Sequence, residues 1–142
     1  MTPICSIQII AKKPCYIPFP SKDDQSLGAI LKRRRLALEL TQQECGKHFG
    51  VLKDSYQKWE WNEIIPCIKR QKEIVEFLDY NFWDDGSYSV SNRILLYRIE
   101  HRLYRTELAN ICNVSDSTIE RIEKKSKLIS MDMLITVEEY LK

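Results

Sequence analysis

The residues able to do chemistry cluster in one short stretch, Lys53-Asp-Ser-Tyr-Gln-Lys58. Helical spacing turns Lys53, Asp54, Gln57 and Lys58 outward, while Tyr56 and Trp59 share the opposite, buried face. A lysine ammonium can donate to guanine O6 and N7 or to a phosphate, and an aspartate can accept from a cytosine amine. Bond-breaking chemistry has no such footing. The two histidines, His48 and His101, are isolated, and there is neither a glycine-rich phosphate loop nor a nucleophile constellation, so no enzyme and no cofactor are expected.

Other reactive side chains have a plainer reading. Cys45 and His48 stand at a spacing that could ligate a metal, yet they align with Leu108 and Ile111 of a second, similar segment, so core filling is expected and no metal. His101 aligns with Leu38 and reads as part of a helix face. Trp59, Trp61 and Trp83 read as core and linker anchors rather than as a base-stacking platform. The basic run Lys32 to Arg35 is either a phosphate contact or a solvated helix face.

What must position Lys53 to Lys58 is a segment that occurs twice. Leu40 to Glu60 lines up on Leu103 to Glu123 at a constant offset and without a gap, with identities at Leu40/Leu103, Glu44/Glu107, Val51/Val114 and Glu60/Glu123. Two helices joined by a tight turn need their fixed residues at such places, and a tandem helix-turn-helix pattern usually serves DNA. Thr41-Gln-Gln-Glu44 is a capping box that starts one helix, and Gly50 ends it by taking the left-handed conformation of the turn. Asn113 stands where Gly50 stands, as the other residue that tolerates that conformation.

Around this pair, Leu27, Leu31, Leu36 and Leu38 predict a preceding helix. Beyond the stop at Pro66, Ile68, Ile74, Val75 and Leu78 predict a following one. The second half replays the order through Ile94, Leu95 and Ile99, then Leu108, Ala109 and Ile111. Ser115 then caps a helix bearing Ile119 and Ile122, and Ser130 caps a last one with Leu134, Val137 and Leu141. The segment 1–25, with four of the five prolines and the alternating Ile7-Gln-Ile-Ile10, reads as an extended arm.

Composition bounds the reading. With 22 basic against 20 acidic residues the net charge is only +2, so binding to nucleic acid must use a local patch. Residues 26–78 hold ten Lys/Arg against seven Asp/Glu, residues 92–142 nine against eight, and residues 79–91 only acidic charge. Five cysteines with no Cys-x-x-Cys pair suggest neither disulfides nor zinc, which fits a reducing cytoplasm. No stretch approaches the roughly 18 apolar residues of a membrane span, so no membrane partner is expected.

At Leu31 to Tyr80 the chain resembles the Cro/phage-repressor type helix-turn-helix family, also called the XRE family. Leu40-Thr-Gln, Gly50-Val, Trp59-Glu60, Pro66 and Ile74-Val-Glu-Phe-Leu-Asp-Tyr80 follow its order and spacing, and Asn92 to Leu141 is similar to it a second time. The resemblance implies an all-α chain of two tandem lambda-repressor-like domains of four to five helices each. Its parts are an arm at 1–25, a first domain at 26–80, an acidic linker at 81–91 and a divergent second domain at 92–142. It also pairs an arginine late in the first helix with a glutamate ending the third, matched here by Arg35 with Glu60 and Arg98 with Glu123; exposed, unpaired charges are the alternative.

The function so implied is a sequence-specific transcriptional regulator with double-stranded DNA as partner. The residues assigned to DNA are Thr41, Gln42, Lys53, Asp54, Ser55, Gln57 and Lys58, with Arg105, Thr106, Asp116, Ser117, Thr118 and Arg121 in the second repeat. Tyr104 in place of Thr41 removes a cap there, and Leu52 in place of Ser115 removes one in the first repeat. Asp116 and Glu120 would repel phosphate, so packing or dimerisation is the rival reading for the second repeat. Two half-sites could be read by one chain as a covalent pseudo-dimer, or by a homodimer. The alternative function is a protein-interaction module, antitoxin-like or partner-binding, in which the second repeat or an arm strand grips another chain.

Overall fold

The computed structural model describes residues 20–125 and 130–141, which form eight α-helices and no strand. They are α1 (Leu27–Ala37), α2 (Gln42–Phe49), α3 (Lys53–Glu60), α4 (Ile68–Leu78), α5 (Val90–His101), α6 (Arg105–Cys112), α7 (Asp116–Glu123) and α8 (Met131–Tyr140). The chain is therefore all-α among the described residues. Shifted by the offset that carries Leu40 onto Leu103, the bounds of α2 and α3 become those of α6 and α7, and the starts of α1 and α4 become those of α5 and α8.

Local chemistry explains the shared boundaries. Ser26 and Ser89, themselves separated by that offset, accept from the backbone N–H of Ala29 and Asn92 and start α1 and α5. Left-handed residues recur at the same interval, as Glu39/Arg102, Gly50/Asn113 and Asn62/Lys125. Glu39, Arg102 and Lys125 are neither glycine nor asparagine, so their turns are imposed by the surroundings rather than by local preference. The Thr41/Glu44 box forms in both directions, Thr41 N to Glu44 Oε2 at 2.7 Å and Glu44 N to Thr41 Oγ1 at 3.1 Å. In the second repeat only the return half survives, Tyr104 N to Glu107 Oε2 at 2.6 Å. Ser115 and Ser130 cap α7 and α8 as expected, while Leu52 leaves α3 without a side-chain cap.

Buried positions also recur: Leu31/Ile94, Cys45/Leu108, Phe49/Cys112, Tyr56/Ile119, Trp59/Ile122 and Ile74/Val137 are buried in both copies. Large aromatics in one copy stand opposite small or aliphatic residues in the other, so pattern persists where identity does not. By contacts the chain divides into two compact units, residues 20–47 with 52–63, and residues 48–51 with 64–125 and 130–141. In the first unit α1 and α3 approach unusually closely. A Cβ on Gly28 would lie 2.3 Å from the Glu60 carbonyl oxygen. At the matching place in the second unit, the Ser91 hydroxyl donates to the Glu123 carbonyl at 2.8 Å.

Several expectations need revision. Helix α4, expected to close the domain at 26–80, groups with the second unit, where Lys72 pairs with Glu100 at 2.9 Å and Glu73 with Arg102 at 3.3 Å. Helix α5 begins at Val90, inside the segment read as linker, because Ser89 caps it. Most of the arm lies outside the described residues, but Ser21 to Asp24 form a turn, and Arg33 donates to the Ser21 carbonyl at 2.6 Å. Leu38 is exposed because α1 ends at Ala37. Ile111 and His48, expected in cores, are both exposed, each next to the last position of a short helix.

Candidate nucleic-acid interface

Helix α3 is amphipathic in the strict sense, with Tyr56, Trp59 and Glu60 buried and Lys53, Asp54 and Lys58 exposed. Burying Glu60 requires a partner, since an unpaired carboxylate away from water costs several kcal/mol, on the order of 3–5 kcal/mol when the pair is broken. Arg35 supplies it through two parallel hydrogen bonds, and its Nη1 donates to the Leu40 carbonyl at 3.0 Å. Burial works to lower the Arg35 pKa, and Glu60 more than offsets this, holding the guanidinium above its ordinary value. The pairing predicted for Arg35 and Glu60 is thus formed and buried, not a pair of surface charges.

Gln42 adds a third member. Its Nε2 donates to Glu60 Oε2 at 2.9 Å, so the end of α3, the body of α1 and the start of α2 meet on one carboxylate. The second repeat builds the same node: Arg98 pairs with Glu123 Oε1, donates from Nε to the Leu103 carbonyl at 3.2 Å, and Arg105 Nε reaches Glu123 Oε2 at 2.7 Å. Hydrogen bonding to Glu123 holds Arg105 above its ordinary pKa. Sequence reasoning assigned Gln42 and Arg105 to DNA alone. Their shared position, with a side chain long enough to return to the clamp glutamate, was the signal it missed.

With its inner side fixed, α3 offers its outer side to solvent. Lys53 and Lys58 are exposed and make no ion pair among the described residues, while Ser55 and Gln57 are half-buried on the flanks. Beside Lys53 lies a shallow cleft of about 370 Å³ lined by Arg35, Leu40, Thr41, Gln42 and Gln43. The first turn of α2 lies there: Thr41 Oγ1 takes the Glu44 N–H, and the N–H groups before it carry the partial positive charge of a helix N-terminus. Lysines, polar side chains and these N–H groups on one surface can hold phosphates and approach base edges.

The corresponding surface of the second repeat differs. Asp116, Ser117 and Arg121 are exposed on α7, and Glu120 is half-buried and tied to Lys124 at 2.6 Å, which keeps its pKa lowered. Thr118 does not face outward as assigned: it is 4% exposed and bonded to Ser115. Thr106 is exposed in the first turn of α6. That turn is approached by α4, whose Lys69 donates to both oxygens of Glu107, at 3.1 and 2.8 Å, and lies 4.6 Å from the centroid of the Tyr104 ring. The hydrogen bond from Lys69 and the Tyr104 N–H hold Glu107 below its ordinary value of 4.5.

Among the other reactive side chains of the described residues, Cys67, His48 and His101 are exposed. Cys45 and Cys112 are fully buried, and burial pushes both thiols up, away from the reactive thiolate. His48 stacks edgewise on Phe49 and His101 lies flat on Tyr97, with ring centroids 4.9 and 4.0 Å apart. Trp59 is core, Trp61 is exposed and Trp83 is half-buried. Among the described residues no group of three or more His, Cys, Asp or Glu could hold a metal, and no helix is long and apolar enough to cross a membrane. No protein-family model matches the chain, and neither a curated protein nor a solved structure does.

Proposed function

We propose that the chain is a sequence-specific DNA-binding regulator of the Cro/phage-repressor type, built from two tandem lambda-repressor-like units, with α3 as its reading helix. The observation that carries this is the outer face of α3: Lys53 and Lys58 are exposed there, Lys53 beside the first turn of α2, on a helix whose inner face is locked by Glu60. In this reading α3 enters the major groove, Lys53 and Asp54 meet base edges, and Lys58 with the start of α2 meets the flanking backbone. Gln42 is held by Glu60 and serves to fix the start of α2 against α3, with its exposed part toward the phosphate.

The second repeat takes a different part. Its acidic α7 face and the Lys69/Glu107/Tyr104 contact at the start of α6 favour a packing role over a second reader. Binding of the intact chain to mixed genomic duplex DNA, titrated against salt, tests the proposal. Affinity should fall steeply as salt rises, because each phosphate contact releases counterions. An intact, folded chain that does not bind at low salt would refute it.

A further inference from the structure

We infer that Leu52 is a specificity-determining residue that reads a thymine through its C5-methyl group, an inference that rests on the DNA-binding reading of α3. Leu52 occupies the N-cap of α3, next to Lys53, and is 77% exposed. An isolated exposed leucine is ordinary on a protein surface, and by itself means little. Here the residue also forfeits a cap: it makes no side-chain bond to the first turn of α3. The matching Ser115 makes that bond to Thr118 N from nearly the same backbone, φ −77° and ψ 152° against −70° and 152°. The backbone at position 52 would therefore accept serine, and leucine loses the cap without gaining burial. Two local losses at one position are expected where function, not folding, sets the residue.

The chemistry narrows what that function is. Leucine can neither donate nor accept, so it cannot distinguish base edges by hydrogen bonds. The one apolar group presented in the major groove is the thymine methyl. The N-terminal residues of a helix lying in that groove are the ones that reach base edges, and Leu52 heads this one.

The test begins with duplexes selected by the wild-type chain from a random DNA library. Each thymine of a selected duplex is then replaced singly by deoxyuridine, which removes only the methyl group. One replacement should weaken wild-type binding about fourfold, what burial of one methyl group provides. Leu52→Ser should bind that duplex with or without the methyl equally well, while melting no lower than wild type. Silent replacement at every thymine of an enriched duplex, or undiminished methyl sensitivity in Leu52→Ser, would overturn the inference while leaving DNA binding intact. Failure to enrich any duplex would overturn the DNA-binding reading itself.

Discussion

Arg35 grips Glu60 side-on, Nε to Oε1 at 2.5 Å and Nη2 to Oε2 at 3.2 Å, with both side chains nearly out of solvent. Because the second charge is stranded when the first is removed, Arg35→Ala should cost about 3–5 kcal/mol of stability. Glu60→Gln should cost less than Glu60→Ala, since the amide oxygen still accepts. Chemical denaturation followed by tryptophan fluorescence measures both. A loss within the range of exposed pairs, about 0–1 kcal/mol, would mean that the node is not buried in solution.

Gly28 lies against the backbone of α3, where an added Cβ would come within 2.3 Å of the Glu60 oxygen and 2.7 Å of the Trp59 oxygen. Alanine is the better helix former by about 1 kcal/mol, yet Gly28→Ala should destabilise by about 1–3 kcal/mol because backbone cannot step aside. Ser91→Ala, at the equivalent place, loses one hydrogen bond and should cost about 0.5–1.5 kcal/mol. Thermal melting of the two variants settles the comparison, and a stabilised Gly28→Ala would contradict the close approach.

Signals confined to a few residues were legible in the sequence. The Thr41/Glu44 box, the left-handed Gly50 and Asn113 and the Ser115 and Ser130 caps follow from residue type at fixed spacing, whereas the two Arg–Glu pairs were expected only from the family resemblance. Periodicity failed at helix ends. His48 and Ile111 fall at the end of short helices, and Leu38 beyond one, where helical spacing no longer guarantees burial. Thr118 was assigned to DNA as the position matching Ser55, but it lies on the inner side of α7 with Ile122, its hydroxyl turned in to Ser115. Lys69 with Glu107 was not legible at all, because the partners lie 38 residues apart and the interval matches no repeat.

The Lys69–Glu107 contact gives the second unit an acid-sensitive element. Glu107 sits below its ordinary 4.5 in the folded chain, so its contribution is complete above that value and is lost as pH falls through the lowered one. Melting temperature should therefore be flat near neutrality and decline in acid. Glu107→Gln should lower it near neutrality and make the acid decline shallower. Because both partners are partly exposed, the neutral-pH loss should shrink in high salt. An unaltered acid limb in Glu107→Gln would count against this pairing.

Assignment of reading to α3 and of packing to the second repeat can be tested on one plot. The logarithm of DNA affinity is measured against the logarithm of salt concentration for the wild type, Lys53→Ala, Lys58→Ala and Arg121→Ala. Each of these side chains is exposed, so all four chains should fold alike. Loss of a phosphate contact should reduce the slope by about one unit in Lys58→Ala, while Lys53→Ala weakens binding and relaxes base preference. Arg121→Ala should overlay the wild type. A reduced slope in Arg121→Ala, with Lys53→Ala and Lys58→Ala indistinguishable from wild type, would place the reading surface on the second repeat and contradict the account.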